Sequence, residues 1–128
     1  MAIAGYLEQP IIKTAGGVIV LDALNEAGSL IVIAGAVATI LRLPPLVSPE
    51  QDHRFVILNT VDQNLTILPP LTAGYVGASL TLGAFNNLNA ASLAYTTASS
   101  KIGAICSCRS YAGKWWITNS SAAVPTIT

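Results

Sequence analysis

The sequence predicts an all-β protein: a single antiparallel β-sandwich, jelly-roll-like, with an extended N-terminal arm. Three observations predict it. Short runs rich in Val, Ile, Thr and aromatic residues recur along the chain, each bounded by Gly, Pro, Asn or Asp. Seven prolines and ten glycines, spread over 128 residues, leave little room for a long helix. The composition is 52% hydrophobic and only 9% charged, so apolar surface must be buried between layers or against a partner.

Residues 1–16, MAIAGYLEQPIIKTAG, have no sustained period, contain Pro10 and run into Gly16-Gly17. They read as an arm, with residues 17–128 as the sandwich domain. Pro10 stops a helix and the glycines give a flexible exit. Ile3, Tyr6, Leu7, Ile11 and Ile12 are too apolar to stay solvated, so the arm is expected to dock on a neighbour by adding a strand to an exposed sheet edge. An ordinary first strand on the domain's own sheet is the alternative.

From Val18 the expected strands are Val18–Leu24, Leu30–Ala34, Val37–Leu43, Arg54–Asn59, Leu65–Leu68, Ser79–Phe85, Ile102–Ser107 and Lys114–Thr118. The best helical stretch is NLNAASLAYTTAS, residues 87–99, which is Ala-rich but weakly periodic. Two strands end alike: residues 39–46 read TILRLPPL and residues 66–71 read TILPPL. Proline lacks the N–H that a ladder requires, so a central strand must stop where Pro-Pro begins. The preceding Leu43 and Leu68 are pushed toward extended geometry and can finish their strands without a kink. Two copies imply two strands leaving a sheet in similar directions.

Composition excludes several functions. Six basic and six acidic residues cancel, and no basic stripe exists to neutralise phosphates, which argues against a nucleic-acid partner. The longest uncharged apolar run, residues 27–41, is short of the roughly 20 residues of a spanning helix and reads as buried strands. Glu8 and Pro10 interrupt the segment in which a signal peptide would need its apolar core. So few charges leave little to hold a monomer apart, which points to an assembly.

Reacting groups are scarce. His53, the one histidine, stands in the polar stretch SPEQDHRF and reads as an exposed loop residue. Cys106 and Cys108 share one face if the segment is a strand, yet no second Cys or His pair completes a zinc site. They read as buried free thiols serving as small apolar side chains. The acidic residues are scattered, and no glycine-rich phosphate loop is present. No catalytic, cofactor-binding or metal-binding residue is assigned, and the chain does not read as an enzyme.

Near the C-terminus, Lys114 and Trp116 should lie on one face of the last strand, with Trp115 and Ile117 on the other. One tryptophan then closes the core while the other reaches an edge or a subunit contact; Trp115 and Trp116 join the arm residues as candidate interface positions.

Leu68-Pro69, Gly74 to Leu82, Ile102-Gly103 and Gly113-Lys114-Trp115-Trp116-Ile117 follow the order of a strand ending in Leu-Pro, a Gly turn before an alternating strand, and a final hairpin. That order resembles β-rich structural proteins of tailed bacteriophages, namely head decoration (cement) proteins and domains of tail fibres and spikes. The second proline, the Cys-Ser-Cys, the doubled tryptophan and a longer turn holding Arg109 and Tyr111 depart from it. The resemblance implies a homotrimer made in the host cytoplasm that sits on the capsid surface of the virion and clamps the major capsid protein. A tail fibre or spike domain is the alternative within that class. A small β-sandwich binding carbohydrate is the alternative outside it, and would want exposed aromatics beside carboxylates or amides on one face.

Overall fold

The computed structural model describes residues 10–46, 52–70, 80–82, 87–97, 101–112 and 114–128. In chain order they form β1 (Ile11–Lys13), β2 (Gly17–Val20), α1 (Ala23–Glu26), β3 (Leu30–Ile33), β4 (Thr39–Arg42), β5 (Arg54–Asn59) and β6 (Leu65–Leu68). There follow β7 (Leu80–Leu82), β8 (Asn87–Ala90), β9 (Leu93–Tyr95), β10 (Ile105–Tyr111), β11 (Lys114–Asn119) and β12 (Thr126–Ile127). The strands make two sheets: β1-β3-β5-β10-β11-β7-β8 and β12-β9-β6-β4-β2. Their inner faces meet in one core, so the protein is all-β and sandwich-like.

The path through the sheets is the main departure from expectation. From β1 to β6 each strand enters the sheet opposite to the one before it. Short arches at residues 14–16, 34–38 and 60–64 carry the chain across. Strands of the same sheet therefore run the same way: β1, β3 and β5 pair in parallel, as do β2, β4 and β6. The expected antiparallel, jelly-roll-like sandwich is thus corrected to a mixed one, with antiparallel ladders at β5-β10-β11, β7-β8 and β6-β9-β12.

The arches stack. The Ala34 N–H donates to the Lys13 carbonyl and the Thr60 N–H to the Ile33 carbonyl, continuing the parallel ladder around the bend. Stacking at this spacing needs a bare backbone at Gly35, where a Cβ would stand 3.0 Å from the Thr14 carbonyl oxygen. On the return side, α1 is a single turn held by side chains. Glu26 accepts from the Asp22 N–H and pairs with Lys13, and the Asn25 amide donates to Asp22.

Register explains the two proline words. Thr39 lies opposite Leu65 and Leu41 opposite Ile67, so TIL is matched with LTI and not with its own echo. Thr39, Leu41, Leu65 and Ile67 are all buried. Matching the words literally would oppose buried Thr39 to half-exposed Thr66 and turn one strand's apolar set outward. β4 and β6 are neighbours and parallel, so the two Pro-Pro exits leave side by side, as expected. Each supplies a carbonyl to a side chain: the Trp115 indole donates to the Pro44 oxygen at 2.9 Å, and Arg42 donates to the Pro69 oxygen at 2.8 Å.

Trp115 is 1% exposed and packs on Phe55 with ring centroids 5.9 Å apart. Burying such a ring is worth about 3–5 kcal/mol against truncation to Ala, and its bond to Pro44 ties β11 of one sheet to the exit of β4 in the other. A second tie runs from the Tyr95 hydroxyl on β9 to Asn119 on β11 at 2.7 Å, and Asn119 in turn donates to the Ala123 carbonyl at 2.7 Å.

Other boundaries also move. Residues 11–13 of the expected arm form β1, paired in parallel with β3 in the large sheet. The helical stretch 87–99 holds β8 and β9, with Leu93 and Tyr95 buried in strand alternation. The run 18–24 breaks at Leu21 into α1, while Ile102-Gly103 form a turn ahead of β10. Arg109 and Tyr111 belong to β10 itself, where Tyr111 pairs with Lys114 across a two-residue loop. Ala112 in that loop has φ 54°, a left-handed geometry costing an alanine about 1–2 kcal/mol. Ala112→Asn is expected to raise stability by roughly 0.5–1 kcal/mol in urea unfolding; an unchanged or lower midpoint would show that the loop carries no such strain.

Candidate functional site

The outer face of the large sheet grades from apolar to polar along its rows. Ile12, Val32, Leu58 and Ile105 are aligned across β1, β3, β5 and β10. Leu30, Val56, Ser107 and Thr118 form the next row. Arg54, Arg109 and Trp116 follow, and Tyr111 with Lys114 close the corner. Alternation puts these side chains outside because Phe55, Cys108, Ser110, Trp115 and Ile117 occupy the buried positions between them.

The corner is rigidly organised for so exposed a place. Arg54 and Arg109 stand opposite one another, a like-charge pair that would repel. Asp52 resolves it by taking a fork from Arg109, Nε to Oδ1 at 3.1 Å and a terminal nitrogen to Oδ2 at 3.2 Å, with Arg54 at 3.8 Å. The hydrogen bonds from Arg109 hold the Asp52 carboxyl below its ordinary range, so it remains ionised at neutral pH. Tyr111 is 66% exposed and meets Trp116 edge-on, with centroids 6.3 Å apart. The Trp116 indole N–H is spent on the Tyr111 carbonyl at 2.8 Å, which fixes the ring. Arg109, Tyr111 and Trp116 line a cleft of about 400 Å³.

The residues singled out from the sequence are separated by the fold. Ile3, Tyr6 and Leu7 lie outside the described residues. Ile11 is half-buried against the core, while Ile12 is 61% exposed on the edge strand β1. Trp115 faces inward and Trp116 outward, as their parity required. Arg109 and Tyr111 are missed as neighbours of Trp116 when the strand is ended at Ser107, and Asp52 reaches Arg109 across the β5-β10 ladder. Extending the alternation Cys106, Cys108, Ser110 by one step would have put Arg109 and Tyr111 on the open face.

His53 is not the exposed loop residue expected. It is half-buried, and its main chain exchanges hydrogen bonds with Ser110: the His53 N–H donates to Ser110 Oγ at 2.7 Å, and the Ser110 N–H to the His53 carbonyl at 2.9 Å. The serine oxygen thus accepts from the His53 backbone. Among the described residues no group of three or more His, Cys, Asp or Glu side chains is placed to hold a metal ion, and no helix is long and apolar enough to cross a membrane. The run 27–41 is β3, an arch and β4.

Comparison with protein-family models, with curated proteins and with solved structures finds no match for this chain.

Cys106 and Cys108 are free and buried on the inner face. The neighbouring Cys106 thiol and burial push the Cys108 thiol well above its ordinary value, and burial pushes the Tyr95 hydroxyl up beside them. Since the thiolate is the reactive species, the native protein is expected to react with a disulfide reagent at pH 8 only as fast as it unfolds. Replacing each cysteine by Ala should cost about 1–2 kcal/mol without loss of fold. Rapid labelling of the native protein, or stoichiometric zinc in the purified protein, would contradict this account of the pair.

Proposed function

We propose that the chain is a structural protein of a virus particle, a decoration protein that binds the outside of a capsid shell and stabilises contacts between major capsid subunits. The observation that carries this reading is the open first coil. β1 and β2 are edge strands of their two sheets, and they present Ile12, Val18 at 63% exposure, and Val20 to solvent. Edges and apolar side chains left together in this way template association, and natural proteins cover or charge them. Here the charges to do so are few: six basic and six acidic residues in 128. Covering by another subunit is a solution that a shell surface or a sister copy would supply.

The particular assembly, a trimer on a phage capsid, follows the resemblance of the C-terminal half and not the composition. Residues 1–9, with Ile3, Tyr6 and Leu7, retain the proposed arm role on that partner. A tail fibre or spike domain is the second reading, favoured by the stacked coils of β1 to β6, an arrangement that extends by adding further coils at the open end.

The copy number in purified virions separates these: hundreds per particle means decoration, a handful means a fibre, and none removes both. For the isolated protein, sedimentation equilibrium at micromolar concentration is expected to give a trimer, and Val18→Lys with Val20→Lys is expected to shift it toward monomer without unfolding it. A wild-type protein that sediments as a stable 13.2 kDa monomer would overturn the assembly reading.

A further inference from the structure

The geometry points to a glycan-binding site at the corner formed by Tyr111, Trp116, Arg109, Lys114 and the Asp52-Arg54 pair, selective for saccharides that carry carboxylates. It goes beyond the assembly reading and does not depend on whether the chain belongs to a shell or a fibre.

The cleft has the size of a small-ligand site, since about 300–1,000 Å³ is the usual range and this one is about 400 Å³. Two of its walls are aromatic. Tyr111 is exposed and Trp116, fixed beside it on the outer face, is half-buried, so the pair presents apolar ring surface that a ligand could cover. The Trp116 indole N–H is already bonded to the Tyr111 carbonyl, so the ring offers a flat apolar π face and no donor. A pyranose suits such a face. Its C–H bonds point from one side of the ring and carry partial positive charge, which the negative face of an aromatic attracts. Its hydroxyls leave from the rim, toward polar groups at the edge.

Those groups are present and pre-set. The Arg109 guanidinium is immobilised by the Asp52 fork, so it can donate to a ligand oxygen without a further entropy cost. Asp52, kept ionised, accepts from a hydroxyl. A like-positioned aromatic pair also attracts cations, but charge decides against that here. Among the described residues Arg54 and Arg109 pair with Asp52 at this corner, exposed Lys114 lies opposite Tyr111 on the next row, and the three are half of the six basic residues of the whole chain. A quaternary ammonium or lysine side chain would be repelled; a uronic acid, stacked on Trp116 with its carboxylate toward Arg54 or Lys114, would gain charge-assisted hydrogen bonds.

The test is an NMR titration of the ¹⁵N-labelled full chain with tetragalacturonate and, separately, with neutral maltotetraose. The expected result is a saturable shift of the Trp116 indole N–H and of Tyr111 and Arg109 with tetragalacturonate at millimolar concentration, weakened by added salt. The Trp115 indole N–H, sealed on Pro44, should not move. Tyr111→Ala, a surface change that keeps the Trp116 ring, and Lys114→Gln should each weaken binding by about tenfold while the remaining spectrum shows the domain folded. Absence of any saturable shift, equal binding of maltotetraose, or full binding by Tyr111→Ala would overturn the proposal.

Discussion

Everything in this fold depends on one constraint: successive strands from β1 to β6 must bury their apolar side chains from opposite sides of the same core. A hairpin would satisfy the backbone of two such strands by pairing them with each other. An arch instead lets their side chains meet face to face and leaves the backbone hydrogen bonds to the next coil. Once the first arch is made, each later strand has one place to go, beside its predecessor of two strands earlier and parallel to it. Leu41 over Ile67 and Ile31 over Ile57 are the packing expression of that rule. The antiparallel strands β9 to β12 then close the open side of the core, with Trp115 as the largest buried plug.

The same constraint shapes the surface. A stack of coils has two ends, and here β5 and β6 are covered by β10 and β9, while β1 and β2 are left as edges. Among the described residues this end is also apolar, with Ile12 exposed on β1 of the large sheet and Val18 on β2 of the small one. The opposite corner, beyond β5, gathers charges with the exposed Tyr111 and half-buried Trp116 rings. The proposed association surface, along the β1 and β2 edges of the two sheets, thus lies apart from the proposed glycan site beyond β5, and a subunit covering the first would leave the second accessible.

Much of this was legible in the sequence, for a physical reason. Alternation is local, so Arg54–Asn59 and Leu65–Leu68 could be bounded to the residue, and the opposite faces of Trp115 and Trp116 followed from parity. The Pro-Pro words located two strand ends and their common direction. What alternation cannot encode is the partner of a strand. Residues 34–38 and 60–64 have the length and turn residues of hairpin loops, and nothing in them distinguishes a hairpin from an arch. The Ala- and Asn-rich segment 87–99 misled because its propensity is helical, while burial of Leu93 and Tyr95 between sheets overrides propensity. The corner around Trp116 was missed for a smaller reason: Asp52 is brought there by the β5-β10 ladder, a contact of long sequence separation.

The pairing of β4 with β6 is the most direct test of the account, because it distinguishes arch from hairpin and packing register from verbal repeat. Interstrand nuclear Overhauser contacts between residues 39–42 and 65–68 should follow a parallel ladder, Hα to HN, with Leu41 opposite Ile67 and Thr39 opposite Leu65. Close Hα–Hα contacts between these segments would mean an antiparallel pair, and Thr39 opposite Thr66 would mean that the repeated word sets the register; either result contradicts the fold described.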